Sequence, residues 1–154
     1  MATLLSHEIK TIVDVRELPL SRKKGFSKAA LSAELANAGI SYIHLKGLGD
    51  PKVGRNAAKS GDLLTFRSVF SAHFGGSLAQ KEFEALLEVA STGRTCMLCF
   101  EKCPINCHRA IIATSAEDRG FEIVNLVSGE MAKRISFVRK VISNGHSESL
   151  SAAE

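Results

Sequence analysis

The residues best suited to chemistry crowd into one short stretch. All four cysteines of the 154-residue chain, Cys96, Cys99, Cys103 and Cys107, lie there, with Glu101 among them and His108 and Arg109 directly after. A thiolate is a nucleophile and a soft metal ligand, and an imidazole exchanges protons near neutral pH. A guanidinium is a fixed cation that grips carboxylates and phosphates through paired N–H groups. Far upstream, Asp14-Val15-Arg16 sets an acid and a base two residues apart at the end of an apolar run.

Three chemistries compete for these residues. Cys103 and Arg109, with five residues between them, have the spacing found in the anion loops of cysteine phosphatases and rhodaneses. Those loops wrap backbone N–H groups around an oxyanion, whereas Pro104 removes one donor and suits the first turn of a helix. The spacing C-x2-C-x3-C-x3-C suggests instead a metal or iron–sulfur site. Cys96 and Cys99 are three apart on a strand and point to opposite faces, so both cannot join one tetrahedral site without a bulge. A smaller set, Cys99, Cys103 and Cys107 with or without His108, stays open. The third chemistry is an anion site made by Arg16, Arg22, Arg109 and a helix N-terminus, with Glu101, His108 or a thiol such as Cys107 moving protons. The sequence favours this last reading, under which no resident cofactor or metal is expected.

Charge points the same way. The net charge is only +4, but Arg16 to Arg67 holds ten Lys or Arg against four acids, a local charge of +6. Such a stretch attracts a phosphate-bearing small molecule or nucleic acid, although a merely solvated basic face has the same composition.

These residues need elements to hold them. Ile9 to Arg16 reads as a buried strand with Asp14 and Arg16 on one face near its carboxyl end. Ser27 caps a helix from Lys28 to Ala38 that Gly39 stops, and Ile40 to Leu45 is a second strand, which makes a right-handed crossover and a parallel sheet. Lys46 to Gly61, with its glycines and Pro51, reads as a long exposed loop. Asp62 caps a helix through Phe74, whose Leu63, Phe66, Phe70 and Phe74 form an apolar stripe for the core. Ser77 starts another helix to about Ala90, and Thr95 to Phe100 is the next strand. Pro104 to Arg119 is read as a helix with Cys103 at its N-cap and His108 facing the sheet. Phe121 to Val127 is a strand and Gly129 to about Ile142 a last helix. Residues 143–154 are polar and read as a flexible tail. The expected fold is one three-layer α/β domain over residues 1–142, with a mainly parallel sheet of about four strands flanked by helices. If the strand ending at Phe100 lies beside the Asp-Val-Arg strand, Asp14, Arg16, Cys99, Glu101, Cys103, Cys107, His108 and Arg109 converge at the carboxyl edge, where open parallel sheets bind ligands.

Composition excludes other classes. The hydrophobic fraction of 45% and charged fraction of 23% are those of a globular protein. Clustered cysteines argue against a secreted disulfide framework and for a reducing compartment, the cytoplasm. No apolar run approaches the ~20 residues a membrane helix needs, so no membrane partner is expected.

Three separated stretches carry a recognisable pattern: DVRELPLSRKKGFSK, LANAGISYIHLKGLGDP and MLCFEKCPINCHRAIIA. Together they resemble the domain-of-unknown-function 488 family, from Ile9 to about Leu126. Asp14, Arg16, Pro19, Ser21, Arg22 and Phe26 match its first motif. Tyr42, His44, Leu45, Leu48, Gly49 and Pro51 match the second, and Cys99, Glu101, Pro104, Cys107, His108 and Arg109 match the third. Cys96 and Cys103 depart from the pattern. Family members commonly begin with a strand ending in Gly-His-Ser or Gly-His-Thr, which this sequence lacks. A strand edge left open there is compatible with a homodimer, and a shifted start codon explains the same absence. The resemblance implies an α/β fold and adds Ser21, Tyr42 and His44 to the ligand-binding candidates Asp14, Arg16, Arg22, Cys99 and Arg109. It implies no reaction and no substrate.

Overall fold

A computed structural model describes residues 1–101, 107–128 and 133–140, with 127, 128 and 133–140 described by backbone alone. The chain forms an α/β fold around a five-stranded sheet of order β2-β1-β3-β5-β4. Strand β1 (Thr11–Asp14) lies between β2 (Ser41–His44) and β3 (Thr95–Leu98) and is parallel to both. The anticipated adjacency is therefore real: Asp14 sits opposite His44 on one side and Leu98 on the other.

Alternation along β1 divides the hydrophobic residues into two cores. Val13 and Val15 face the larger one, with Met97, Phe70, Phe83, Leu86 and Ile112. Ile12 faces the smaller one with Leu4, Leu35 and Cys96. The smaller core is roofed by α1 (Ala2–Ser6) and α2 (Lys28–Asn37), while α4 (Leu63–Phe74), α5 (Ser77–Thr92) and α6 (His108–Glu117) bring residues to the larger. Helix α2 starts after Ser27 as anticipated, yet the Ser27 hydroxyl donates to the Ser21 carbonyl rather than capping the helix. Helix α4 opens on Asp62, whose carboxylate accepts from Thr65 N–H at 3.0 Å, and it buries Phe66, Phe70 and Phe74.

Four expectations need correction. The parallel part of the sheet has three strands rather than about four, and β5 (Lys133–Lys140) pairs antiparallel with both β3 and β4 (Phe121–Ser128). Strand β5 stands where a last helix over Gly129 to Ile142 was anticipated; Ile135-Ser136-Phe137-Val138 combines β-branched and aromatic residues with the two-residue alternation of a strand. The segment Lys46 to Gly61 is a 3-10 turn (Lys46–Leu48) and a helix, α3 (Lys52–Ser60), rather than an open loop. Pro51 precedes the first turn and Gly61, at φ 82°, ends it in the left-handed region, so residues taken for loop markers punctuate a helix. Helix α6 begins at His108 with Cys107 at its N-cap, rather than at Pro104 with Cys103 there. Cys103, Pro104 and the anticipated tail 143–154 lie outside the described residues.

Helix α3 and the turn before it are pressed onto the end of β1. A Cβ added at Gly49 would come within 2.3 Å of the Glu17 backbone nitrogen. One added at Gly54 would come within 2.2 Å of Asp50 Oδ1. Both glycines are required by close approach rather than by turn geometry.

Candidate active site

The chain leaves β1 through two buried groups that hold each other. Asp14 accepts from Arg16 Nε at 2.7 Å and from Arg16 Nη2 at 2.5 Å, and the Tyr42 hydroxyl donates to its second oxygen at 2.5 Å. Arg16 Nη1 donates to the Phe26 carbonyl at 2.9 Å. Neither charge is exposed, and a buried ion pair of this kind is tolerated only because its remaining lone pairs and protons are satisfied. Burial and the bond to Asp14 raise the Tyr42 phenol well above its usual range. His44 Nε2 donates to the Arg16 carbonyl at 2.8 Å, and Lys28 Nζ lies 3.3 Å from its other nitrogen. Asp14, Arg16, Tyr42 and His44 thus form one clamp at the carboxyl ends of β1 and β2.

A second cluster forms where β3 and α6 meet. Cys99 and Cys107 bring their Sγ atoms to 3.0 Å. Cys107 Sγ lies 3.7 Å from His108 Nδ1 and accepts from Arg109 Nε at 3.4 Å. The Glu101 backbone N–H donates to Cys99 Sγ at 3.2 Å, and Arg109 Nη2 donates to the Glu101 carbonyl at 2.6 Å. His108 Nε2 donates to the carbonyl of Val15 at 2.9 Å, which ties the start of α6 to the end of β1. The ring of His108 also rests against Phe70 at 5.2 Å. The hydrogen bond from Cys99, with His108 and Arg109 nearby, holds the Cys107 thiol well below its ordinary range, whereas burial pushes Cys99 up. Of the two sulfurs, Cys107 is therefore the one whose surroundings favour the thiolate.

Between the clusters opens a cavity of about 480 Å³. Cys99, Cys107 and His108 lie on it, as do Arg16, Arg22, Glu101 and Lys59. Leu18, Leu20 and Phe100 give it an exposed apolar lip, and the Arg16 guanidinium stacks 5.1 Å from the Phe100 ring centre. Asp50 also faces the cavity, and its Oδ1 is buried without a hydrogen-bond partner among the described residues. Burial pushes its carboxyl up to about 6. Arg55 is itself engaged by Glu17 and by the Asp50 carbonyl.

Most residues singled out from the sequence fall at this edge, in two groups rather than one. Cys99, Glu101, Cys107, His108 and Arg109 come together below the cavity; Asp14, Tyr42 and His44 belong to the clamp, as does Arg16, which also lines the cavity. Ser21 stands apart, its hydroxyl accepting from the Lys23 backbone N–H. Arg109 finds the Glu101 carbonyl and Cys107, while Asp14 is taken by Arg16. Asp50, Phe66 and Phe100 were not anticipated as site residues, and Lys59 only as part of a basic face. The available signal for Asp50 was an acid placed before a proline, with Gly54 clearing space for its carboxyl.

A parallel β-α-β core with polar groups gathered at its carboxyl edge defines an α/β domain with a single-edge site. The chain belongs to the family described as Domain of unknown function DUF488, whose model matches residues 1–116. No curated protein and no solved structure matches it. Among the described residues no helix is long and apolar enough to cross a membrane.

Proposed function

We propose that this domain is an enzyme acting on a phosphorylated ligand, a nucleotide or a nucleotide unit of nucleic acid, held in the pocket at the carboxyl edge of the sheet. The observation that carries the reading is one cavity that joins uncommitted cations to a buried, uncommitted carboxyl oxygen. Arg22 and Lys59 line it with no ion-pair or hydrogen-bond partner among the described residues. A phosphate at that rim gains charge-assisted hydrogen bonds, and a base gains the apolar lip of Leu18, Leu20 and Phe100. Arg16 and Arg109 add positive field from below while their N–H groups serve internal acceptors. Asp50 is the proton-transfer group and Glu101 a second carboxylate at the same edge. Free thiols beneath the pocket suit a reducing cytoplasm.

Calorimetric titration with nucleoside mono- and diphosphates tests this. The double variant Arg22→Ala/Lys59→Ala loses at least about tenfold in affinity, equivalent to ~1.4 kcal/mol. Asp50→Asn keeps the affinity and loses turnover. Unchanged affinity in the double variant sinks the proposal.

A second reading, a non-catalytic nucleic-acid-binding module, is favoured by the exposed Lys23, Lys24, Lys52 and Lys59 of the basic stretch. It requires binding that weakens steeply with salt and is indifferent to Asp50→Asn and Glu101→Gln.

A further inference from the structure

The Sγ atoms of Cys99 and Cys107 and a ring nitrogen of His108 all lie within 4.8 Å of one another beneath the cavity. We propose that they bind a thiophilic divalent cation of the Zn2+ or Fe2+ kind, with a further coordination position open to the pocket.

The donor geometry is close to what such an ion needs. Tetrahedral Zn2+, with Zn–S near 2.3 Å and Zn–N near 2.0 Å, sets ligand atoms roughly 3.5 to 3.8 Å apart. Cys107 Sγ and His108 Nδ1 are at 3.7 Å. The two sulfurs, at 3.0 Å, need to part by only roughly 0.8 Å to meet the same geometry, a small side-chain rotation.

The histidine is already turned the required way. A carbonyl oxygen only accepts, so the 2.9 Å contact to Val15 makes Nε2 the donating nitrogen. Nδ1 is thereby left on the cysteine side, where loss of its proton frees a lone pair for a metal. Metal-bound imidazoles are held in this way, by an outer N–H donated to a carbonyl or carboxylate. The sulfurs have comparable support: the Glu101 backbone N–H reaches Cys99 Sγ and Arg109 Nε reaches Cys107 Sγ, bonds that favour sulfur in its anionic, ligating state.

The position of the cluster argues for an open site. All three ligands line the cavity, and so does the carboxylate of Asp50, which is only 6% exposed and has an unpartnered oxygen. Among the described residues three protein ligands face the pocket, the pattern of catalytic metal sites, whereas structural sites close with four. Cys96 takes no part, because it packs in the core on the other side of the sheet. The cation does not depend on the nucleotide reading, since binding of metal is measured without any ligand.

Full-length protein is reduced, freed of metal with a chelator, checked for free thiols and titrated anaerobically with Co2+. The expected result is one tight equivalent with a sulfur-to-cobalt charge-transfer band and the visible spectrum of a four-coordinate site. Cys99→Ser and Cys107→Ser lose the band or weaken binding at least about 100-fold, while Cys96→Ala retains both. Folding of each variant is followed by circular dichroism. Absence of stoichiometric Co2+ binding by the reduced wild-type protein overturns the proposal without recourse to any variant. So does an unchanged band in a folded Cys107→Ser protein. Loss of nucleotide binding with Co2+ binding intact would instead count against the pocket ligand alone.

Discussion

Asp50 is the residue whose ionisation the fold opposes most plainly. Its carboxyl is raised from 3.8 to about 6, chiefly by burial. A carboxyl raised in this way holds its proton more tightly in the folded than in the unfolded chain. Its contribution therefore favours folding below about pH 3.8 and is lost as pH rises through 6. In the metal-free protein, Asp50→Asn should be more stable than wild type by about 3 kcal/mol at pH 7 to 8, with the difference vanishing below pH 4. Chemical denaturation across that range measures it, and a constant difference at all pH values would contradict the stated cause. The gain in stability accompanies the loss of turnover expected of a site residue. Sequence alone made the opposite emphasis at this scale. Cysteine spacing, His108 and the arginines were legible because their residue types are conspicuous. Asp50 was not, since nothing in one-dimensional spacing reveals that a carboxyl oxygen will be enclosed without a partner.

At the scale of elements, periodicity was a good guide wherever the apolar stripe was long. Helices α4 and α5 and strands β1 to β4 could be read from it, and the crossover rule gave β1 parallel to β2, whereas β1 beside β3 stood only as a condition. The misreadings share a cause. Helix α3 has few large apolar residues, and only Gly54 and Ala57 are buried along it, so glycine there was taken as a breaker when it was a contact surface. The start of α6 was placed at Pro104 on a local preference alone, whereas α6 begins at His108. Gly49 provides the sharpest test of how tightly these elements meet. Gly49→Ala drives a methyl group into the Glu17 backbone, which has no rotamer with which to yield. The variant should lose about 2 kcal/mol or more in urea unfolding. A change under ~0.5 kcal/mol would mean that the end of β1 and the turn before α3 are not held together as described.

Across the whole molecule the two cores are unequal, and the site hangs from the larger. Phe70 is fully buried at its centre, stacked with Phe66 and Phe74 and touching the His108 ring. Phe70→Ala should cost about 3 to 5 kcal/mol by equilibrium denaturation. Its histidine contact adds a second readout: the His108 resonance shifts by nuclear magnetic resonance even where the fold survives. The bond from His108 Nε2 to the Val15 carbonyl joins groups 93 residues apart. It has a consequence for how the molecule is made. A chain growing from its N-terminus acquires Arg22, Asp50 and Lys59 early, yet Cys107 and His108 must emerge before β1 can receive them. A ribosome-bound fragment that stops short of these residues carries the charged rim without the thiolate and imidazole below it. The Cys107 sulfur and the His108 ring therefore arrive late in synthesis, when the three parallel strands have been made and β4 and β5 are still to come.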